Sequence, residues 1–229
     1  MATQLLDDTL GDLACTIPGA TRVFHEFHLD FCCGGGKSLR QAALERGIDA
    51  REVQNRLLAL DPQAEGEERW REMAPAHLID HLLMRYHAIH RLQLPELIRL
   101  AARVEQVHGR RDECPNGLTE LLMSIQQELE SHMQKEEQVL FPMILRGAGA
   151  MAGGPITVMR FEHDQHGEAL ERLAELTNDI RAPAGACNTW QALYRGLNEF
   201  RVDLMQHIHL ENNLLFPRVL GQEVHSASA

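Results

Sequence analysis

Two stretches of the chain repeat a pair of side chains that could hold a metal ion. His132-Met-Gln-Lys-Glu136-Glu-Gln-Val-Leu140-Phe141-Pro142 returns as His207-Ile-His-Leu-Glu211-Asn-Asn-Leu-Leu215-Phe216-Pro217, at an offset of 207 − 132 = 75. The copies share His, Glu, Leu, Phe and Pro, and Leu145 matches Leu220 at the same offset. Four residues along an α-helix advance about 6 Å and turn about 40° past one full turn, so each His shares a helix face with its Glu. An imidazole nitrogen and a carboxylate oxygen can then reach one ion. A lone His-x-x-x-Glu is more often an exposed helical pair or a core histidine. Two copies that both run on to Leu-Phe-Pro shift that balance, and of the 13 histidines only these two have a glutamate four residues on.

Further donors stand at matching places between the copies. His87-Ala-Ile-His90 and His163-Asp-Gln-His166 are 163 − 87 = 76 residues apart, one more than the repeat. The runs to the next motif, 132 − 87 = 45 and 207 − 163 = 44, let a helix run out, turn and return to the same depth. Spacing alone ranks His90 nearly equal to His87, and His166 nearly equal to His163. Four histidines and two glutamates at one level suit two metal ions, with two imidazoles on each and with Glu136 and Glu211 bridging. Iron is the expected metal. Zinc would ordinarily settle for four ligands at one ion, and calcium or magnesium would want oxygen in place of imidazole. With an oxide or hydroxide bridge each iron would have about five ligands, leaving room for a small exogenous one.

The elements that must position these residues are helical. Leu, Ala and Glu are abundant, aromatics are few, and β-branched runs are scarce, so an all-α fold is expected. Four long amphipathic patterns cover roughly 75–108, 116–146, 155–181 and 187–219. Short Gly-, Pro- and Cys-containing connections separate them, which favours antiparallel neighbours in an up-down four-helix bundle. Pro142 and Pro217 are expected to bend or end the last turns of their helices, and Pro95 to kink the first. Residues 1–60 read as a small helical domain: a helix with Pro18 in its first turn, a break at Cys32-Cys33-Gly34-Gly35-Gly36, a helix from Ser38, and a third capped by Asp49. Its core is small enough to need support from the rest of the chain or from a second copy in a homodimer. Residues 61–74, acidic and broken by Pro62 and Gly66, form the expected linker. Residues 75–220 form the bundle, and 221–229 a disordered tail.

Composition bounds the partners. A net charge of −11 without a basic tract argues against nucleic acid. The N-terminus has no leader pattern, no stretch approaches the ~20 apolar residues of a membrane span, and five scattered cysteines fit a reducing compartment, so a cytoplasmic location is expected.

The series His87, His132-x-x-x-Glu136, His163, His207-x-x-x-Glu211, with Leu-Phe-Pro after each His-Glu motif, resembles the hemerythrin-like di-iron domain of the iron-sulfur cluster repair family. Thr9-Leu-Gly-Asp-Leu-Ala-Cys-Thr-Ile-Pro18 and Leu29-Asp-Phe-Cys32-Cys33-Gly-Gly resemble that family's small N-terminal domain, so the likeness covers roughly residues 8–220. It implies a hemerythrin-like four-helix bundle with metal ligands His87, His132, Glu136, His163, His207 and Glu211, leaving His90 and His166 as core or supporting residues. It also implies repair of iron-sulfur clusters damaged by nitric oxide or oxidants, through iron donation or nitric oxide handling. Damaged iron-sulfur proteins and gases such as nitric oxide or oxygen are the implied partners. A nitric oxide reductase-like activity stays open. Glu128 and Glu162 are weaker candidates for polar residues lining a route to the metals, and His77, His81 and His209 have no counterpart in the other repeat.

Cys32 and Cys33 are candidates for an iron or thiol relay. Adjacent Cα atoms lie about 3.8 Å apart, below the usual disulfide range, so two thiols are expected. The following glycines would let backbone amides turn towards thiolates and lower a thiol pKa. A buried apolar cysteine beside a glycine turn is equally compatible with the residues alone. The other function classes are a hemerythrin-type carrier or sensor of oxygen or nitric oxide, which needs no Cys-Cys domain, and a ferritin-like oxidase, which would use mainly carboxylates with Glu-x-x-His pairs.

Overall fold

The computed structural model describes residues 5–60, 70 and 73–221, except for the side chain at 150. Most of the expected linker and the tail from 222 onwards lie outside the described residues. The described residues are all-α, with no strand and a single antiparallel bridge, Thr9 with Ser38. Backbone contacts divide the chain into one unit of 1–78, 144–156 and 205–229 and a second of 79–143 and 157–204.

The second unit holds the greater part of four long helices. The first runs as Pro75–His81, a π-helical stretch Leu82–His87, and Ala88–His108; Pro95 sits inside the last segment, which runs on through it. The second runs as Leu118–Lys135, π-helical Glu136–Leu140 and Phe141–Leu145. The third is Gly153–Leu176 and the fourth begins as Asn188–His209. Neighbouring helices run antiparallel, as polar ties show. Arg91, midway along the first helix, bonds Glu130 midway along the second, while Glu105 late in the first accepts from Thr119 early in the second. Arg85 meets Asp203, and at the other end His108 packs on Trp190. Between the helices lies an apolar core that includes Leu97, Ala101, Leu122, Ile125, Leu129, Leu173, Trp190, Leu193 and Leu197, all buried at helical spacing.

The prolines of the repeat stand in the last turns of their helices, as expected, three residues before the end at Leu145 and two before the end at Val219. Each π-helical stretch hands over to a resumed α-turn, Phe141–Leu145 or Phe216–Val219, and Pro142 and Pro217 are the second residues of those turns. The N–H groups of Phe141 and Phe216 bond the Glu136 and Glu211 carbonyls five residues back, so each proline follows directly on a π-type bond. The third helix stops short of 181. Asn178, Asp179 and Ile180 all have positive φ (49°, 58° and 54°), and Thr177 Oγ accepts from the Ile180 N–H in place of a continuing helical bond.

The first unit contains four short helices, Leu10–Thr16, Ala20–Glu26, Leu39–Arg46 and Ala50–Leu58. Thr9, Ser38 and Asp49 cap three of them with side-chain oxygens. Pro18 lies ahead of the second helix, because Gly19 (φ 82°) forms a left-handed cap that no helical turn can span. Leu10, Leu13, Phe24, Leu29, Leu39 and Val53 fill the core. The same unit includes the end of the fourth long helix, π-helical Leu210–Leu215 and Phe216–Val219, against which Leu10–Thr16 packs.

Candidate metal centre

All six expected ligands are 0–1% exposed: His87, His132, Glu136, His163, His207 and Glu211. Three sit where the helix widens. His87 closes the first π-helical stretch, Glu136 opens the second, and Glu211 is the second residue of the third. A π-turn inserts a residue into the ladder and re-aims the side chains after it, and such turns are frequent at functional sites.

Within the four-helix unit, Glu136 stands between two histidines. Its Oε2 is 3.4 Å from His87 Nε2 and its Oε1 is 3.5 Å from His132 Nε2. His163 Nε2 lies 3.1 Å from His132 Nε2. The far side of each of two imidazoles is tied to a second carboxylate: His87 Nδ1 donates to Glu137 Oε1 at 2.8 Å and His132 Nδ1 to Glu162 Oε2 at 2.9 Å. A proton held on Nδ1 leaves the Nε2 lone pair facing the Glu136 oxygens. Lone pairs of nitrogen and oxygen facing one another are an arrangement that a cation would stabilise. The separations suit it, since two ligands on bonds of about 2.1 Å are about 3.0 Å apart at a right angle and about 3.4 Å apart at the tetrahedral angle.

Glu137 and Glu162 are themselves held. Arg91 Nη1 donates to Glu137 at 2.8 Å and also binds Glu130, and Lys135 donates to Glu162. The His132 hydrogen bond, with help from Lys135, keeps the Glu162 carboxyl down at about 2. Such outer carboxylates fix the tautomer and orientation of a ligating histidine and raise its basicity. Glu162 was a weaker candidate by sequence and Glu137 was none; Glu128, the other weak candidate, is exposed and accepts from Ser124. The signal in the sequence is slight, since Glu137 adjoins one candidate ligand and Glu162 another, while their imidazole partners lie 50 and 30 residues away.

Among the remaining histidines, His90 packs edge-on against Phe200 at 5.5 Å and contacts Gln93, as a core residue would. His166 is buried edge-on against His132 at 5.1 Å. His81 packs on Tyr86, and His77 is exposed.

In the other unit, His207 Nε2 is 3.3 Å from Glu211 Oε1, the one-turn pairing that the spacing requires. His209 points elsewhere. It packs edge-on against Phe31 at 5.5 Å, meets the Asn213 amide at 2.8 Å and lies 3.8 Å from Cys15 Sγ.

Cys32 and Cys33 are thiols with their sulfurs 3.7 Å apart, and among the described residues there is no disulfide. Contrary to the expectation that amides of this turn face sulfur, three amides of the loop face Asp30. The N–H groups of Cys32 and Cys33 donate to Asp30 Oδ1, at 3.1 and 3.0 Å, and that of Gly34 to Oδ2 at 2.9 Å. Cys32 Sγ also donates to Oδ1 at 3.2 Å. The Cys32 thiol is therefore pushed well up, by its hydrogen bond with Cys33, by burial and by the Asp30 charge. A Cβ on Gly34 would come within 2.9 Å of the Asp30 carbonyl, and one on Gly35 within 2.7 Å of the Phe31 carbonyl. Asn212 and Asn213 close the loop from the π-helical stretch, donating to the carbonyls of Cys32 and Phe31, each at 3.1 Å.

Comparison with known proteins agrees with both halves of this description. The family model of the hemerythrin HHE cation binding domain matches residues 78–219, and that of the ScdA_N domain (domain of unknown function, DUF542) matches 6–61. The chain is 52% identical over 217 residues to the iron-sulfur cluster repair protein YtfE of Dickeya chrysanthemi (strain Ech1591), covering 95% of this chain and 98% of that one. Identity to the proteins of that name from Yersinia pseudotuberculosis serotype IB (strain PB1/+) and Yersinia pestis (strain Pestoides F) is 51% and 50% over the same shares. A hemerythrin-type cation-binding domain joined to an ScdA_N-type domain, with such relatives along nearly its whole length, places this chain in the iron-sulfur cluster repair family.

Proposed function

We propose that the protein repairs iron-sulfur clusters damaged by nitrosative or oxidative stress, using two irons held by His87, His132, Glu136, His163, His207 and Glu211. The observation that carries this reading is Glu136, a fully buried carboxylate that presents one oxygen to His87 and the other to His132. A carboxylate so placed is suited to bridge two cations. In this reading two of the four imidazoles serve each iron, and Glu136 and Glu211 are shared between the two. Two glutamates offset part of the charge of two cations, and neutral imidazoles supply the remaining donors. When bound, with an oxide or hydroxide bridge, the iron pair supplies a redox-active centre open to nitric oxide or oxygen and a store of iron for donation. The chain's part is to keep the donors ready: Glu137 and Glu162 hold the protons on Nδ1, and Arg91 and Lys135 hold those carboxylates in place.

The names of the relatives support cluster repair, and the two matched segments, 6–61 and 78–219, support reading 1–60 and 75–220 as separate domains joined by a linker. The proposed partners are damaged iron-sulfur proteins and the proposed location is the cytoplasm; no helix among the described residues is long and apolar enough to cross a membrane. Cys32 and Cys33 act as an iron or thiol relay in this reading. Purified protein should carry about two irons per chain with the absorption of an oxo-bridged pair, and Glu136→Ala should lose both. Isotopically labelled iron loaded into it should enter a nitric-oxide-damaged cluster enzyme during reactivation. Near-zero iron after growth in iron-replete medium would overturn the metal assignment, and reactivation without label transfer would replace iron donation with nitric oxide handling.

A further inference from the structure

We propose that Asp30, Cys32 and Cys33 form a second metal site, a half-open three-donor chelate for a single thiophilic divalent cation such as ferrous iron. Their donor atoms all lie within 4.8 Å of one another. The assignment deepens the relay role proposed for the cysteine pair and rests on it, but it needs nothing from the di-iron centre.

Geometry comes first. Two sulfurs on one tetrahedral ion with bonds of about 2.3 Å are about 3.8 Å apart, and the Cys32 and Cys33 sulfurs are 3.7 Å apart. Two sulfurs in van der Waals contact would show the same distance, so the third donor decides. Asp30 Oδ1 lies 3.2 Å from Cys32 Sγ, and the thiol proton occupies the line between them. A cation can replace that proton.

The surroundings keep this arrangement from relaxing. Three consecutive backbone amides, of Cys32, Cys33 and Gly34, fix the Asp30 carboxylate. Glycine at 34 and 35 permits the close approach, and Asn212 and Asn213 anchor the loop from outside. Binding sends one proton from each thiol to solvent, leaves two thiolates and one carboxylate on the ion, and transfers no electron. Access is built in, because Cys32 is buried while Cys33 is half-buried and Asp30 exposed. A site of three protein donors with one side open can receive a cation and release it.

The test uses the full chain, reduced and anaerobic, titrated with cobalt(II). Thiolate-to-cobalt charge transfer gives near-ultraviolet absorption that a site of histidine and glutamate lacks. The expected result is a thiolate band that saturates at one equivalent in the wild type, weakens with at least about tenfold lower affinity in Cys33→Ser and Asp30→Asn, and is absent in the Cys32→Ser/Cys33→Ser double variant. Cys33 is half-buried and serine keeps its shape, so the single variant still reports if the double variant misfolds. No band in wild type whose thiols titrate as reduced, or a band undiminished in both cysteine variants, overturns the proposal. Iron per chain, measured on the same preparations, reports the di-iron centre separately; it should stay at about two in the cysteine variants.

Discussion

Replacing Glu162 by glutamine should weaken metal binding about tenfold while leaving the fold intact. Glu162 accepts the His132 Nδ1 proton at 2.9 Å and is also tied to Lys135 at the protein surface. A hydrogen bond to a charged acceptor contributes about 1.5–3 kcal/mol and a neutral one about 0.5–1.5 kcal/mol. The amide oxygen of glutamine can still accept, so the loss is about 1–1.5 kcal/mol, or five- to about thirteenfold in affinity, at the lower edge of what outer carboxylates of metal-bound histidines contribute. The assay is competition for ferrous iron between the anaerobic protein and a chelator of known affinity, with helical content followed by circular dichroism. Glu128→Gln is the control, since Glu128 faces Ser124 on the same helix and no imidazole. Unchanged affinity in Glu162→Gln, or an equal fall in Glu128→Gln, would refute the claim that Glu162 acts through His132.

Three further outcomes follow from other parts of the structure. The Arg91 hydrogen bond holds the Glu130 carboxyl below its usual range, so the stability it gives is present above the unfolded value near pH 4.3 and lost as pH falls through the lower folded value. Both partners are over a third exposed, so Glu130→Gln should cost no more than about 1 kcal/mol at neutral pH, shrinking with salt and vanishing in acid; thermal melts across pH check it. Trp190, fully buried against His108 and Tyr194, should cost about 3–5 kcal/mol as Trp190→Ala, yet the folded fraction should keep its iron, because the His108 end of the first helix is opposite the His87 end. Asn213→Ala removes the partner of the Phe31 carbonyl and of the His209 ring; it should cost about 2 kcal/mol and speed alkylation of Cys32, and an unchanged thiol rate would show that the loop does not depend on this anchor.

The four long helices are legible in the sequence because their pattern is local and periodic. The four long elements fall within a few residues of their expected bounds, and Asp49 and Ser38 cap the helices they were expected to cap or begin. What periodicity could not show was the π-helical stretches, since an inserted residue changes the ladder without changing residue types. It also missed side chains that act across helices. Glu137, Glu162 and Arg91 look like ordinary surface charges until their partners are placed, and nothing in the local pattern marks Asp30 as the acceptor of the cysteine-loop amides.

The duplicated motif says most where its copies differ. Aligned at the offset of 75, Glu137 corresponds to Asn212, one residue after the glutamate in each copy. In the first copy that position accepts a proton from His87 and takes an arginine. In the second it donates to the Cys32 carbonyl, and the next residue, Asn213, donates to that of Phe31, where the first copy has exposed Gln138. A carboxylate could not do this, since an acceptor facing a carbonyl oxygen would repel it, whereas an amide N–H₂ is a donor. One copy therefore spends this position on orienting an imidazole and the other on holding the cysteine loop. The residues kept in common, His, Glu, Leu, Phe and Pro, are those that the paired donors, the π-turn and the resumed helix require in both places. The exchange of Glu-Gln for Asn-Asn is the point in the sequence at which the second motif is adapted to carry the Cys32-Cys33 loop.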